Sequence, residues 1–454
     1  MDYLFVRTWR RLVLLANVHS SPDGRGIGYG MMLIRMRRAL LVGRAMGAQV
    51  LFVRPRQALN AAVMELQSDD LDIIAPESWK ARWLSCVWVA AAPFRVGGTW
   101  LWAQRSIARG ILEPIYKRVE RSERLPRGLR RLVLSQRPTL LRLKAANVAY
   151  AARAEASWRT VYKQALSGVP ALERAEKGAP LIRLRFSTDR ERSVTDEASA
   201  LGIRPDTPLV TVHVRESGYR STAGLRQRSW DDARNADIGT YVPALKALVA
   251  GGYTVVRLGD RTMTPIAVRG VIDLATSAAR TDWLEVWCTM RSEFLIGCDS
   301  GPSWLAVLLG VPILTVNAVH FRDMSRAQDR LLCKLARDRT THEVLSISEM
   351  LTEDYLRVGF KDDRYECVDN SPSEIRQAVI DMIEVVRGHE KRSSWQDKFN
   401  RRLSEVGRRP LRTGSALDGV AIMGRARGTL SRGFAKTHFV RPEVRASHQA
   451  GDRR

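Results

Sequence analysis

Cysteine is scarce in this chain of 454 residues, and its spacing suits neither metal nor disulfide chemistry. The five cysteines, Cys86, Cys288, Cys298, Cys333 and Cys367, are odd in number and scattered. They form no Cys-x-x-Cys pair and no Cys/His cluster of zinc spacing. Reduced thiols in a cytoplasmic protein are the expectation. Apolar runs of membrane-spanning length are also missing. A spanning helix takes about 20 apolar residues, and the stretch Trp83 to Phe94, even followed by Trp100-Leu101-Trp102, falls short. Arg and Trp flank that stretch, so two readings stand: a helix lying in a membrane interface, or one buried in the core or in a subunit interface. The N-terminus has basic residues but neither the long apolar core nor the small-residue cleavage site of a secretory signal, and Leu12 to Val18 reads as a strand instead. There is no Gly-Lys-Ser/Thr of a Walker A loop. The Gly26-x-Gly28-x-Gly30 loop lacks the spacing of a dinucleotide fingerprint. The strand Val50 to Val53 ends in Arg54 rather than in the acid that would hold a ribose, which disfavours NAD. Beyond its two α/β series the chain has no internal repeat, and it has no low-complexity tract.

Acidic residues are in short supply as well. Asp and Glu total 48 against 73 Lys and Arg, a formal net charge of +25. That balance favours anionic partners: nucleic acid, an anionic membrane face or a phosphorylated substrate. The competing explanation is compositional, an Arg-rich code used for solubility. Apolar residues make up 45% of the chain, enough for two cores, and the length suits two domains plus extensions.

The apolar run Leu12 to Asn17 has the pattern of a buried parallel strand. It leads into Ser20 to Gly24 and the Gly26 to Gly30 loop. Met31 to Met46 then has helical spacing and is stopped by Gly47. Val50 to Val53 and Leu71 to Ile74 are the next strands, so the chain opens as a Rossmann-like unit. From Ser78 to Arg190 long Arg-, Trp- and Leu-rich helical patterns dominate, with one strand-like run at Leu181 to Leu184. This stretch reads as a helical insertion in the first domain, 1–195. Asp196 to Leu201 is a short helix, and Pro205-Asp206-Thr207-Pro208 is a boundary. A second domain, 205–387, repeats the α/β alternation. Its strands are Leu209 to Val214, Thr254 to Leu258, Val271 to Leu274, Phe294 to Gly297 and Pro312 to Val316. Its helices are Ile238 to Ala250, Asp282 to Arg291 and Ser303 to Leu309. The expected fold is therefore α/β, two Rossmann-like domains facing a cleft. A basic C-terminal tail, 388–454, follows; it is partly helical, and either flexible or docked on the first lobe.

The strongest chemical signal is Gly297-Cys298-Asp299-Ser300-Gly301-Pro302-Ser303-Trp304-Leu305-Ala306. A buried strand ends in a small-residue turn and a helix starts at once. The free N–H groups and positive dipole end of such a helix bind phosphate. Ser300 and Ser303 add hydroxyls, and Gly301 admits a ligand close to the backbone. The alternative is plain capping by Asp299 or Ser300, with Pro302 in the first turn. The second signal is His213-Val214-Arg215-Glu216 at the end of the second domain's first strand, where doubly wound sheets bind ligands. Arg215 suits a diphosphate; its alternative is an ion pair with Glu216 or Asp260.

In this order the two elements resemble the donor domain of GDP-fucose-using fucosyltransferases, and the Ser-Gly-Pro-Ser-x-Leu-Ala turn resembles that of bacterial heptosyltransferases. As a whole the chain resembles a family of bacterial glycosyltransferases that carries the runs Arg234-Asn235-Ala236-Asp237, with Tyr241 after it, and Arg257-Leu258-Gly259-Asp260. The resemblance covers Leu209 to Asn317 well and Gly26 to Pro55 fairly. It implies the GT-B fold and a nucleotide-sugar co-substrate with a lean toward a GDP-sugar. It also implies a glycan or lipid-linked acceptor and surface-polysaccharide synthesis at the inner membrane face. By the same resemblance Arg215 binds the donor diphosphate, His213 the nucleoside side, the Ser300 to Ser303 turn the β-phosphate, and Asp260, after Arg257 and Gly259, the base or ribose. His19 and Asp23 occupy the position of the acceptor base, with Glu216 competing from the other lobe; as loop residues, His19 and Asp23 also suit turn formation. Trp230, Asp231 and Asp232 either close over the donor or form a solvated turn. No Asp-x-Asp follows a strand, which argues against a metal-dependent GT-A enzyme; metal-independent transfer with no cofactor beyond the nucleotide-sugar co-substrate is the expectation. Two other classes compete: a nucleic-acid-binding protein, which the charge suggests but for which no binding motif is found, and a scaffold without activity.

Overall fold

The computed structural model describes residues 3–7, 12–16, 29–45, 49–53, 60–69, 71–74, 183–218, 229–321, 324, 326–352, 355–356, 359, 363–408 and 428–440. His19, Asp23, the glycines Gly26 and Gly28, the Trp83 to Trp102 stretch and most of the expected helical insertion lie outside these residues. The chain divides into two units, Met1–Leu59 with Gln67–Leu172, and Asn60–Leu66 with Glu173–Arg454.

In the first unit, β1 (Tyr3–Arg7), β2 (Leu12–Ala16), β3 (Gln49–Val53) and β4 (Leu71–Ile74) form one sheet in that order. β2, β3 and β4 are parallel, and β1 runs antiparallel to β2 with Tyr3 opposite Ala16. Strand β1 was not anticipated. Helix α1 (Tyr29–Ala45) connects β2 to β3 and buries Met32, Leu33, Met36, Ala39 and Leu40, the 3–4 spacing of one helical face.

The second unit is built on a seven-stranded parallel sheet. Its strands are β5 (Leu209–Val212), β6 (Thr254–Arg257), β7 (Val271–Asp273), β8 (Ser292–Gly297), β9 (Ile313–Ala318), β10 (Arg330–Cys333) and β13 (Thr429–Leu430). The spatial order is β7-β6-β5-β8-β9-β10-β13. The first three strands are laid outward from β5; the chain then returns to the other side of β5 and lays β8, β9 and β10 outward again. This is the Rossmann order, and it has one reversal point, between β5 and β8. β5, β8 and β9 are buried along almost their whole length, as strands covered on both faces must be.

The covering helices are α2 (Thr188–Ala200), α3 (Val242–Ala250), α4 (Asp282–Arg291), α5 (Gly301–Leu309) and α7 (Pro372–Val386); a single turn, α6 (Ile347–Met350), precedes α7. A small antiparallel pair, β11 (Leu335–Asp338) with β12 (Tyr365–Val368), lies apart from the main sheet. Local chemistry sets the helix starts. Ser187 accepts from Arg190 N and Thr281 from Leu284 N, while Ser346 with Glu349 and Ser371 with Glu374 form capping boxes. Gly310, at φ 80, ends α5 in the left-handed conformation that glycine tolerates best.

Three expectations change. The short helix expected at 196–201 is the end of α2, which starts at the Ser187 cap. Through Glu191, which accepts from Trp287 Nε1 and Arg291, α2 is held to α4 and belongs to the second unit. The described part of the expected strand at 181–184, Arg183 and Leu184, lies in no strand. The residues beyond Gly388 are more than a tail. Helix α8 (Ser394–Arg408), β13 and helix α9 (Arg432–His438) bury Phe399, Leu403, Leu430, Phe434 and Ala435 in the second unit's core, and β13 pairs with β10 at the sheet edge. Among the described residues no helix is long and apolar enough to cross a membrane.

Candidate functional site

The carboxyl ends of β5 and β8 meet at the reversal point, where a doubly wound sheet opens a crevice for ligands. His213 and Arg215 follow β5, and the turn from Cys298 to Ser303 follows β8. The ladder continues past β5, with His213 N–H donating to the Ile296 carbonyl at 2.8 Å. The Arg215 N–H donates to the Cys298 sulfur at 3.2 Å. Two motifs about 85 residues apart in sequence are thus in direct contact, as the His213–Cys298 pair shows.

His213 is buried, and its Nδ1 lies 3.0 Å from Ser300 Oγ and 3.9 Å from Cys298 Sγ. Burial, then the positive charge of Arg257 and of Arg215, lowers its pKa to about 4, against an opposing pull from Asp260. The ring is therefore neutral near pH 7 and can accept on one nitrogen while donating from the other.

The Ser300 hydroxyl is spent on His213. It occupies the N-cap position of α5 yet makes no side-chain cap bond. The Ser303 hydroxyl is turned back to the Cys298 carbonyl at 2.6 Å, and one Asp299 oxygen accepts from Val319 N–H at 2.8 Å. Among the described residues of the second unit, most other helix starts have side-chain acceptors, although Tyr241 before α3 makes no cap bond either. Ser393 receives Gln396 N, Asp381 receives Gly433 N, and Asp237 caps the 3-10 turn Ile238–Tyr241 that runs into α3. The plain capping alternative does not hold for Ser300, which makes no side-chain cap bond at the start of α5. The first-turn N–H groups of α5, with the positive end of its dipole, lie at the reversal point beside Gly301 and Pro302.

Gly297 fixes how tightly this turn folds. A Cβ added there would lie 2.4 Å from Ser303 Oγ and 2.6 Å from Leu295 Cδ2. Gly297→Ala is expected to cost about 1–3 kcal/mol, the usual range for overpacking a filled core, read as a lower denaturant midpoint at unchanged m-value.

Arg257 and Glu216 do not join the ligand-facing group. The Arg257 side chain is completely buried. It donates to Glu216 at 2.9 Å, to both Asp273 oxygens at 3.2 Å and to the Thr264 carbonyl at 2.7 Å. The other Glu216 oxygen accepts from both N–H and Oγ1 of Thr264 at 2.9 Å. Glu216 is thus consumed as an ion-pair partner, which corrects its candidacy as acceptor base. Arg257 is a structural cation, which corrects its placement among donor-binding residues. The ion pair expected as the alternative for Arg215 exists, but the arginine in it is Arg257.

Gly259, at φ 152, leaves no room for a Cβ against Met263, and its N–H donates to Glu285 at 3.2 Å. Burial raises the Glu285 carboxyl to about 7 even though Arg280 donates to it at 3.1 and 2.9 Å. Asp260 accepts from Thr262 N–H at 2.9 Å, the bond of a local turn.

Several residues of the site carried no role in the sequence reading. Asn235 accepts from the Arg215 guanidinium, Arg234 donates to the Asp299 carbonyl, and Lys334 donates to the Asn235 carbonyl at 2.7 Å. Behind them, Asn317, at φ 54, and Asn370 exchange reciprocal side-chain-to-backbone bonds at 2.8 and 2.7 Å, and Asn317 Nδ2 donates to Tyr241 at 3.2 Å. The conspicuous run Arg234-Asn235-Ala236-Asp237 was the available signal; its bonding partners are distant in sequence.

Fold and site together define a Rossmann-like α/β unit with an uncapped helix start and a buried arginine at its reversal point. No family model and no curated protein matches the chain. Among solved structures, a glycosyl transferase of family 9 from Veillonella parvula DSM 2008 aligns with 68% of this chain and 83% of that one. The identity is 10% and the TM-score 0.33.

Proposed function

We propose that the second unit binds the diphosphate of a nucleotide sugar, and that the chain is a metal-independent glycosyltransferase of the GT-B type. The observation that carries this reading is the Ser300–His213 bond. It withdraws the hydroxyl that would otherwise cap α5 and leaves the helix start available to an anion beside Arg215. In the transfer step negative charge grows on the departing diphosphate. The helix dipole and the Arg215 guanidinium are fixed before the reaction and need no reorganisation to stabilise that charge. His213, neutral near pH 7, and Asp260 then serve the nucleoside side by hydrogen bonding.

Glu216 being engaged by Arg257, the base that takes the acceptor hydroxyl proton is assigned to Asp23 or His19, at the start of the chain. A glycan or lipid-linked acceptor, surface-polysaccharide synthesis and action at the inner membrane face complete the proposal, supported by the chain's charge of +25.

The test is a titration of the purified full chain with GDP, ADP and UDP in the presence of EDTA. Saturable binding of one of them, undiminished by the chelator, is the expected result. Tight, salt-sensitive binding of duplex DNA with no response to any nucleotide would replace this reading with the nucleic-acid one.

A further inference from the structure

Residues 234–236 lie across the ends of three strands. Arg234 donates from Nε, at 2.9 Å, and from Nη2 to the single carbonyl oxygen of Asp299, at the β8 end. Asn235 Oδ1 accepts from Arg215 Nη1, just past β5. The Ala236 N–H donates to the Arg215 carbonyl at 3.1 Å. Lys334, one residue beyond β10, donates to the Asn235 carbonyl and pairs with Asp369 at 2.6 Å. Downstream, Asp237 caps the turn whose last residue, Tyr241, is fully buried, so the segment is anchored in the core.

These bonds do different work. Those of Ala236 and Lys334 use main-chain atoms of the segment and fix its course. The Asn235 side chain fixes one nitrogen of the Arg215 guanidinium, so that a plane free to turn on a long side chain is held at one edge. A fork of donors recognises a diphosphate only when its plane is set, and a plane set in advance loses less freedom on binding. Arg234 holds the peptide that leads into Ser300 and brings its positive charge to the same turn.

We propose that Arg234 and Asn235 form a positioning strap for the donor diphosphate: Asn235 orients Arg215, and Arg234 orients the Asp299–Ser300 turn that starts α5. The inference rests on the donor reading above. Neither side chain touches the reacting atoms; both act through groups that meet the ligand.

A double-mutant cycle on the full chain tests it, using GDP, ADP and UDP as probes and an NMR titration that reaches millimolar dissociation constants. Asn235→Ala is expected to weaken binding of the preferred diphosphate about tenfold in the native background, the scale of one charge-assisted hydrogen bond. In the Arg215→Ala background the same change is expected to have less than about a twofold effect, because a residue that acts through another loses its influence with it. The fold should survive, since the Lys334 and Ala236 bonds use backbone atoms; Asn235→Ser serves as the second variant. Equal losses in both backgrounds, or no loss in the native one, would overturn the strap while leaving the donor site standing. If the native chain binds none of the three nucleotides, the donor reading fails and the strap fails with it. Arg234→Lys keeps the charge but not the fork. It is expected to lose binding as Arg234→Met does, and full binding by Arg234→Lys would remove orientation of the turn from the proposal.

Discussion

Arg215→Ala is expected to weaken nucleoside-diphosphate binding by about 100-fold while leaving the protein folded. A charge-assisted hydrogen-bonding contact to an anion contributes about 1.5–3 kcal/mol, and each 1.4 kcal/mol is about a factor of ten. Loss of a two-pronged guanidinium contact belongs at the upper end of that range. The fold loses much less. The Arg215 backbone bonds, from its N–H to Cys298 and from Ala236 to its carbonyl, do not depend on the side chain. Of its side-chain bonds, the one with Asn235 contributes about 1.5 kcal/mol. Calorimetric titration against GDP, ADP and UDP, paired with a melting curve, separates the two effects. Native-like binding in the variant would remove Arg215 from the donor site; a collapsed melting transition would make it a structural residue.

Binding should also be insensitive to His213 ionisation near neutral pH. With its pKa lowered to about 4, the imidazole is uncharged throughout the range in which an ordinary histidine titrates. A ring that acts by neutral hydrogen bonding suits a site already holding two cations, Arg257 and Arg215, whose charge outweighs the opposing pull of Asp260. Glu216 and Asp273 are taken by Arg257.

The second unit was largely legible in the sequence because a parallel sheet covered on both faces writes its strands as continuous apolar runs, and Asp282–Arg291 and its caps can be read residue by residue. The edges were harder. β13 is two residues long and lies among basic and small residues; it is a strand only because β10 offers an edge at which Arg330 pairs with Thr429. β1 needs β2 as a partner in the same way. In the site, the turn and the strand-end arginine were visible as motifs, since small residues at a strand-to-helix turn have few other uses. Partner choice was not visible. Asn235 meets Arg215 and Arg234 meets Asp299 through the order of strands in space, and nothing in the spacing of those residues encodes that order. The same limit made Arg215 and Arg257 look alike: each follows apolar β-branched residues near the end of a strand, with an acidic residue close by.

Their variants should nevertheless behave in opposite ways. Arg257→Leu is expected to destabilise the protein by about 3–5 kcal/mol, the cost of removing one member of a buried ionic group. The charge it leaves behind is double. Glu216 and Asp273 are only 19% and 12% exposed, and both face the vacated position. The loss also spreads along the chain, because Glu216 holds Thr264 while Asp273 holds Ile266 N–H and the Thr276 hydroxyl at 3.0 Å. The connection from β6 to β7 is thus organised around this one guanidinium. For a unit of this size the cost corresponds to a melting temperature lower by roughly 6–20 °C. Adding Glu216→Gln and Asp273→Asn to Arg257→Leu should recover part of the loss, since carboxamides of the same shape carry no charge to strand. Below its melting transition, Arg257→Leu should bind the diphosphate within about threefold of the native protein, as an effect transmitted only through local electrostatics would give. A variant that melts normally but no longer binds would return Arg257 to the ligand and dissolve the division of labour between the two arginines.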